Sequence, residues 1–230
     1  MVMTLPDLTP LDTEAPLRAR ELYRFFRAGE EETLALQGVS LELSRGELVA
    51  VIGPSGSGKS TLLNLLAGLD EPSGGTVWLG GLRMSHQPET VKAQLRSRQL
   101  GVLRQADNLL PHLSVRANLT ILASIRGVDG HEDELLESLG IAGQATSLPH
   151  QLSGGELARA GLAVAMVGSP PVLLADEPTG ELDGDTEDVV LELLRHQATQ
   201  GVAVLVASHS PAVHHLADRV VELLDGRVRR

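Results

Sequence analysis

Cysteine is absent from the 230 residues of this chain, and aromatic side chains make up only 2% of it. Without cysteine the chain can form neither a disulfide nor a thiolate metal site, which fits a reducing compartment. Basic residues are in the minority, since 19 Lys and Arg face 30 Asp and Glu, and the formal net charge is −11. This charge argues against general binding to nucleic acid, although it leaves room for a local basic patch.

Long apolar stretches are also missing. No run approaches 18 uninterrupted apolar residues, so the sequence predicts no membrane-spanning helix. The N-terminal segment lacks the basic start and continuous apolar core of a secretory signal. Because Pro6, Pro10 and Pro16 discourage regular structure, we expect residues 1–16 to form a flexible tail. Residues 17–230 suffice for one large α/β domain.

The most informative pattern lies at residues 53–60, which read Gly-Pro-Ser-Gly-Ser-Gly-Lys-Ser and match the Walker A phosphate loop G-x-x-x-x-G-K-[ST]. The apolar residues 47–52 predict a buried strand before it, and residues 61–67 predict a helix after it. The loop N–H groups and the positive end of the helix dipole can then hold a polyphosphate. Lys59 can reach the outer phosphates, and the Ser60 hydroxyl can bind Mg²⁺. The predicted nucleotide-binding residues here are Gly53, Pro54, Ser55, Gly56, Ser57, Gly58, Lys59, Ser60 and Thr61.

Two adjacent carboxylates end a second apolar segment, Val172-Leu-Leu-Ala-Asp-Glu177, which has the form of a Walker B strand. Asp176 at such a strand end can hold Mg²⁺ next to the phosphate loop. Glu177 can orient and deprotonate an attacking water molecule. A solvated acidic turn is the alternative interpretation, and the Walker A motif upstream favours the catalytic one.

A third motif, Leu152-Ser-Gly-Gly-Glu156, has the S-x-x-E spacing of a capping box at the start of a helix. Gly154 and Gly155 leave backbone N–H groups uncovered at that helix N-terminus, where an anion can bind. An ordinary capped helix would show the same pattern. Beside a phosphate loop, however, a second phosphate-binding helix start suggests two halves of a composite site.

These motifs together resemble the ATPase subunit of ATP-binding cassette (ABC) transporters, from about residue 17 to the C-terminus. They follow the family order: Walker A at Gly53, a Q-loop at Gln105, the signature at Leu152, Walker B at Asp176, a D-loop ending at Asp183 and a switch histidine at His209. The resemblance implies an α/β fold with a P-loop NTPase core around a mixed or parallel sheet. It also implies an N-terminal antiparallel β subdomain and an α-helical subdomain, which we expect at about residues 106–168. Residues 100–105 are predicted to form a strand that ends at the Q-loop.

The resemblance further implies a Mg²⁺-dependent ATPase that works as a head-to-tail homodimer. Each ATP would lie between Walker A of one subunit and the signature of the other. The signature residues Ser153, Gly154, Gly155 and Glu156 would bind nucleotide, with Ser153 and Gly155 acting in trans on the γ-phosphate. Gln105 would contact Mg²⁺ and the attacking water, His209 would contact the γ-phosphate, and Asp183 would communicate between the two sites. The implied catalytic residues are therefore Lys59, Gln105, Glu177 and His209.

Three of the four aromatic residues, Tyr23, Phe25 and Phe26, lie within four positions. ABC subunits place an aromatic ring upstream of Walker A against the adenine, and the spacing favours Phe26 for this contact. Tyr23 is the alternative, and strand packing would also explain the cluster.

The segments 108–113, 149–155 and 175–180 look like those of the lipoprotein-release, macrolide-export and cell-division ATPase branch. This likeness implies integral membrane permease subunits as separately encoded partners, with the ATPase on the cytoplasmic face of the membrane. A regulator that drives a membrane partner without transport is the alternative. The signature argues against a P-loop kinase, and the single cassette without cysteine argues against DNA-repair and ribosomal members.

Three places depart from the family pattern, namely Arg104, the segment 116–118 and the pair Leu157-Ala158. The first two border the expected permease-docking surface. None of the three removes a group with an implied catalytic role.

Overall fold

The computed structural model describes residues 15–28, 31–128 and 131–229. The predicted flexible tail falls almost entirely outside these residues and stays a prediction. The strands are β1 (Leu17–Ala28), β2 (Glu31–Leu43), β3 (Leu48–Ile52), β4 (Gly74–Leu79), β5 (Leu82–Arg83), β6 (Leu100–Leu103), β7 (Val172–Asp176), β8 (Ala203–Ala207), β9 (Arg219–Leu224) and β10 (Arg227–Val228). The α-helices are α1 (Lys59–Leu66), α2 (Glu89–Gln99), α3 (Val115–Arg126), α4 (Glu132–Ser138), α5 (Gly154–Met166), α6 (Gly184–Thr199) and α7 (Pro211–Leu216).

Two sheets organise these elements. The first is antiparallel, has the strand order β2-β1-β4-β5 and contains the long N-terminal hairpin. The second has the order β10-β9-β3-β8-β7-β6 and is parallel from β9 to β6, with β10 antiparallel at one edge. The carboxyl ends of its parallel strands meet at one edge, where sheets of this kind carry their sites.

Both faces of the second sheet are covered, which explains why its central strands are almost continuously apolar. In β3, Val49 and Val51 pack with α1 and the first sheet, whereas Leu48 and Ala50 pack with α3, α5 and α6. This alternation follows the two-residue period of a strand. The fold therefore has the core sheet as its middle layer.

The helices α3, α4 and α5 lie between β6 and β7 in the chain, so the predicted fold class is confirmed. The boundaries of about 106–168 for a helical subdomain remain a prediction. The strand predicted over residues 100–105 is shorter in the structure and ends at Leu103. The Asn108 side chain accepts from the Arg104 N–H at 2.8 Å and donates to the Arg104 carbonyl at 2.7 Å. The backbone of Arg104 therefore bonds to a loop side chain instead of pairing with a neighbouring strand.

Arg126, in the last turn of α3, ties the helical layer to the core sheet. Its guanidinium donates to Leu100 O at the start of β6, at 2.9 Å, and to Val167 O at the end of α5. Burial lowers the pKa of this guanidinium. These contacts place a cation at the negative end of the α5 dipole.

Candidate functional site

Two of the phosphate-loop glycines, Gly53 and Gly58, are required by close backbone approaches. A Cβ on Gly53 would lie 2.1 Å from Leu223 O in β9, and one on Gly58 would lie 2.6 Å from Ala35 O in β2. Gly58 also has a φ of 103° as the N-cap of α1, a conformation that suits glycine. The loop therefore turns against β2 and β9 and leads directly into α1.

Lys59 extends back along this loop, and its side chain is largely buried. Its Nζ donates to Gly53 O at 2.8 Å and to Pro54 O at 3.3 Å. The same nitrogen lies 3.9 Å from Glu177 Oε1. The fold thus brings the Walker A lysine and the second Walker B carboxylate together, although they are far apart in the sequence.

Asp176 ends β7 beside the phosphate loop. Burial raises the pKa of this carboxyl and the Glu177 charge adds to the increase, while the Ser60 hydroxyl and the Lys59 charge oppose it. Within the described residues Asp176 Oδ1 is buried and has no hydrogen-bond partner. A cation beside Ser60 and Asp176 would satisfy that oxygen.

The donor set suits Mg²⁺ in particular. The described residues contain no group of three or more His, Cys, Asp and Glu that could hold a metal by themselves. Mg²⁺ is usually held by one or two carboxylates together with substrate phosphates and water, so one carboxylate and one hydroxyl fit it.

Glu177 follows Asp176 with a φ of 47°, and its N–H donates to Ala207 O at 2.8 Å. Three groups hold its carboxylate from the end of β8. Ser208 Oγ donates at 3.1 Å, the His209 N–H at 3.4 Å, and His209 Nδ1 lies 3.0 Å from both carboxylate oxygens. The switch histidine predicted from its strand-end position is therefore next to Glu177.

Ser208 was missed in the sequence. It is 1% exposed, and its hydroxyl bridges Glu177 and the Ser210 N–H. The only sequence feature that pointed to Ser208 was its position between a buried strand and His209, the predicted switch histidine.

The predicted capping box of the signature is confirmed. The Glu156 N–H donates to Ser153 Oγ at 3.4 Å, and Glu156 Oε2 accepts from Ser153 N–H and Oγ, both at 2.8 Å. The Gln144 side chain donates to the other Glu156 oxygen at 2.7 Å. Hydrogen bonds with Ser153 hold the pKa of Glu156 below its usual range.

The signature and the D-loop together line a separate cavity. Ser153, Gly154, Gly155 and Glu156 line this cavity with Asp183, whose carboxylate caps α6 by accepting from Thr186 N–H at 2.9 Å. A Cβ on Gly155 would lie 2.3 Å from Thr186 Cγ2, so only glycine fits there. No Walker A residue lines this cavity.

Gln105 lies in the exposed loop after β6. It lines a further cavity with Glu177, Gly154 and Gly180, between the signature helix and the Walker B strand. The structure thus brings Gln105 and Glu177 to the same cavity, while Ser60 and Asp176 do not line it.

The aromatic candidates lie in β1, and both rings are partly exposed. Phe26 is 42% exposed, with the Arg24 guanidinium 4.6 Å from its ring centre. Arg24 in turn pairs with Asp70 at 2.8 Å, just after α1. The Tyr23 ring instead packs against Gly38 and Gly74. One face of Phe26 is therefore covered by a cation, and its role against adenine stays a prediction.

A protein-family model described as "ABC transporter" matches residues 36–180. Among curated proteins, the macrolide export ATP-binding/permease protein MacB 1 of Yersinia pestis is 40% identical over 219 residues. That alignment covers 93% of this chain and 34% of MacB 1, so the chain spans about a third of that relative. An uncharacterised ABC transporter ATP-binding protein of Mycobacterium tuberculosis is 40% identical over 209 residues, covering 88% of this chain and 84% of the relative.

Solved structures agree with this result. A dimeric bacterial ABC transporter cassette, MJ0796, superposes with a TM-score of 0.85 at 32% identity, covering 93% of this chain and 97% of the cassette. The same cassette in a dimeric post-hydrolysis state with ADP and Pi gives a TM-score of 0.86 at 31% identity, with the same coverage. In the part of the chain that the structure describes, no helix has the length and apolar character needed to cross a membrane.

Proposed function

The chain is an ATPase domain that belongs to the ABC transporter family, and we propose that it works as a homodimer powering separately encoded membrane permease subunits. The observation that carries the ATP-hydrolysing role is the meeting of Lys59 and Glu177, with 3.9 Å between Nζ and Oε1 beside the phosphate loop. A phosphoryl group bound there would have a charge-neutralising lysine and a candidate base on hand.

Lys59 and the loop amides bind and orient the phosphates. The Lys59 ammonium already lies against the carbonyls of Gly53 and Pro54, so it can turn toward phosphate oxygens with little movement of the backbone. Such positioning and charge stabilisation account for most of the catalysis of phosphoryl transfer.

Glu177 is the group that prepares the attacking water. Ser208 and His209 fix its carboxylate from one side, which leaves a definite orientation toward the phosphate loop. His209 is exposed beside it and can reach the γ-phosphate. Proton acceptance by a carboxylate positioned in this way accelerates hydrolysis.

Asp176 and Ser60, joined by Gln105, would hold Mg²⁺. When bound, this ion would neutralise negative charge on the phosphates. The unpartnered Asp176 oxygen supports the assignment.

The signature completes the site from the partner subunit. In one chain Ser153 and Gly155 line a cavity with the D-loop, apart from Walker A, at the N-terminal end of α5. A second copy placed head to tail would bring these groups to the γ-phosphate. The dimeric form of the MJ0796 cassette supports this arrangement.

Exposed apolar side chains support docking to a membrane partner. Ile121 and Ile125 are one turn apart on α3, and Ile125 is 65% exposed. Buried Asn118 ties the loop that carries the exposed Leu110 to the same helix, accepting from Leu110 N–H at 2.6 Å. A permease segment from the inner face of the membrane would bind here.

The substitution Glu177→Gln tests the catalytic assignment. It keeps the size of the side chain and one acceptor oxygen but removes the charge and the basicity, so we expect ATP turnover to fall by about 100-fold or more. ATP binding should persist and a dimer should accumulate with ATP. Phosphate release measures the turnover, and light scattering measures the mass of the protein assembly and so detects the dimer.

Glu192→Gln is the matched control, since Glu192 is an exposed residue of α6. It should leave turnover unchanged. Normal turnover in the Glu177 variant would remove Glu177 from its role, and failure to form an ATP-dependent dimer would contradict the dimeric mechanism.

A further inference from the structure

A turn near the C-terminus contacts the phosphate loop. This turn, the β9–β10 turn, consists of Asp225 and Gly226 and joins β9 to β10. The Gly226 N–H donates to Ser57 O, in the phosphate loop, at 3.1 Å. The Gly226 carbonyl accepts from the Gln37 N–H, in β2, at 2.8 Å. Gly226 is therefore a bridge between the first sheet and the phosphate loop.

The bridge is tightly enclosed. Gly226 is buried with a φ of 74°, and a Cβ there would lie 2.6 Å from Ala35 O. A glycine is thus needed for both its left-handed conformation and its close approach to β2.

Gln37 anchors the turn with its side chain as well. Its Nε2 donates to Asp225 O at 2.9 Å, and its Oε1 accepts from Arg227 Nε at 2.9 Å and from Arg227 Nη2 at 2.7 Å. With its backbone N–H, this one residue makes four hydrogen bonds to residues 225–227.

The hydrogen bond to Ser57 O determines how the next amide points. A peptide unit is planar and trans, so its C=O and its N–H point in opposite directions. Because the Ser57 carbonyl is directed at Gly226, the N–H of Gly58 is directed away from the β9–β10 turn. Gly58 directly precedes Lys59, so its N–H is at the N-terminus of α1, where anions bind.

We propose that Gln37 is a positioning residue for nucleotide binding: through the β9–β10 turn and Gly226 it fixes the Ser57–Gly58 peptide so that the Gly58 N–H faces the phosphates. This inference rests on the proposed function, since it assumes that ATP binds at the phosphate loop. It assigns Gln37 no contact with the nucleotide.

The test uses Gln37→Met, which keeps the backbone hydrogen bond and nearly the same side-chain length but removes three side-chain hydrogen bonds. We expect ATP affinity to fall roughly three- to tenfold, in keeping with the loss of one or two net hydrogen bonds. The kcat at saturating ATP should stay within about twofold, because binding would weaken equally in the ground and transition states.

A spectroscopic readout separates positioning from general destabilisation. The sequence contains four Ser-Gly pairs, at residues 55–56, 57–58, 73–74 and 153–154. After labelling with carbonyl-¹³C serine and ¹⁵N glycine, a spectrum that detects only amides bonded to a ¹³C carbonyl contains four glycine signals, one of which is Gly58. Gln37→Met should shift the Gly58 signal before ATP is added and leave the Gly154 signal in place.

Arg229→Gln is the matched control, because it removes the ion pair with Glu222 at 3.1 Å from the same hairpin without touching Gln37 or the loop. It should change neither the Gly58 signal nor the ATP affinity. Gly226→Ala serves as a second variant that should shift the Gly58 signal more strongly.

An unmoved Gly58 signal and unchanged ATP affinity in Gln37→Met would overturn the proposal, as would an equal effect of Arg229→Gln. The absence of ATP binding in the unaltered protein would instead refute the proposed function itself. The two failures are therefore distinguishable.

Discussion

At the level of single residues, the site depends on side chains whose surroundings constrain them from several directions. Glu177 is held by Ser208 and His209 in a backbone conformation with positive φ, which costs of order 1–3 kcal/mol and persists only where neighbours enforce it. Walker A, Walker B and the signature were predictable because each is a short local pattern with its own chemistry. Ser208 was not, because its contact with Glu177 joins two strands that are neighbours only in the sheet.

The same scale offers a direct test of Lys59. The chain contains two lysines, Lys59 and Lys92, and each is 8% exposed. We expect MgATP to protect Lys59 from amine acylation, because phosphates would cover its ammonium group. At an ATP concentration of about 100 times Kd, the unprotected fraction should fall about 100-fold. Peptide mass spectrometry measures both sites.

Lys92 is the internal control for this measurement. It pairs with Glu71 at 2.7 Å, and the hydrogen bond from Lys92 to Glu71 raises the pKa of Lys92. Its acylation should not respond to MgATP. Equal protection of both lysines, or of neither, would contradict binding at the phosphate loop.

At the level of elements, the start of α5 was easier to predict than the end of β6. Ser153 caps α5 because its side-chain oxygen accepts from the backbone N–H three residues on, as the local S-x-x-E pattern indicates. By contrast, β6 ends before Gln105 because the Asn108 side chain engages Arg104, a contact across the loop that apolar periodicity does not reveal.

Two serine caps of similar geometry provide a prediction about elements. Ser114 caps α3 by accepting from Ala117 N–H at 3.2 Å, as Ser153 caps α5. Replacing either serine with alanine should lower the free energy of unfolding by about 1 kcal/mol. Chemical denaturation monitored by circular dichroism measures this loss.

The two alanine variants should differ in function. Ser153→Ala should weaken ATP-driven dimerisation in a Glu177→Gln background, because Ser153 is proposed to reach the partner's γ-phosphate. Ser114→Ala should leave dimerisation intact despite a similar loss of stability. Equal dimerisation in the two variants would show that Ser153 is only a helix cap.

At the level of the whole molecule, the separation of the signature from Walker A within one chain is the basis for the proposed dimer. The signature cavity contains no Walker A residue, so a complete site needs both halves from different copies if the proposed arrangement holds. The sequence could suggest this composite site only through the family resemblance, because no spacing along one chain reports contacts between two. The permease partner could likewise be suggested only by the family resemblance, because its contacts lie in another molecule.

Mixing two defective chains tests the arrangement. In a Glu177→Gln background, Lys59→Ala spoils one half of each site and Ser153→Ala spoils the other half. Homodimers of either variant then have two damaged sites, whereas a mixed dimer has one intact site. We expect ATP-dependent dimers from the mixture at a higher yield than from either chain alone, measured by light scattering with differently tagged chains.

The Glu177→Gln chain without further changes is the positive control. If it dimerises with ATP while the mixture forms no more dimer than its components, the two halves would have to act within one chain. That result would refute the head-to-tail proposal and leave the assignment of each motif to phosphate binding untouched.

The Arg126 contacts have a mechanical consequence. They fasten the far end of α5 to the first residue of β6, while the signature occupies the opposite end of the same helix. Thirteen helical residues give a rigid arm roughly 20 Å long. A tilt of about 10° about the arginine fulcrum would swing Ser153 by about 3 Å, a distance comparable to one hydrogen bond. If the proposed membrane partner binds on the α3 side, a displacement of α3 transmitted through Arg126 would move the signature by a distance of this size.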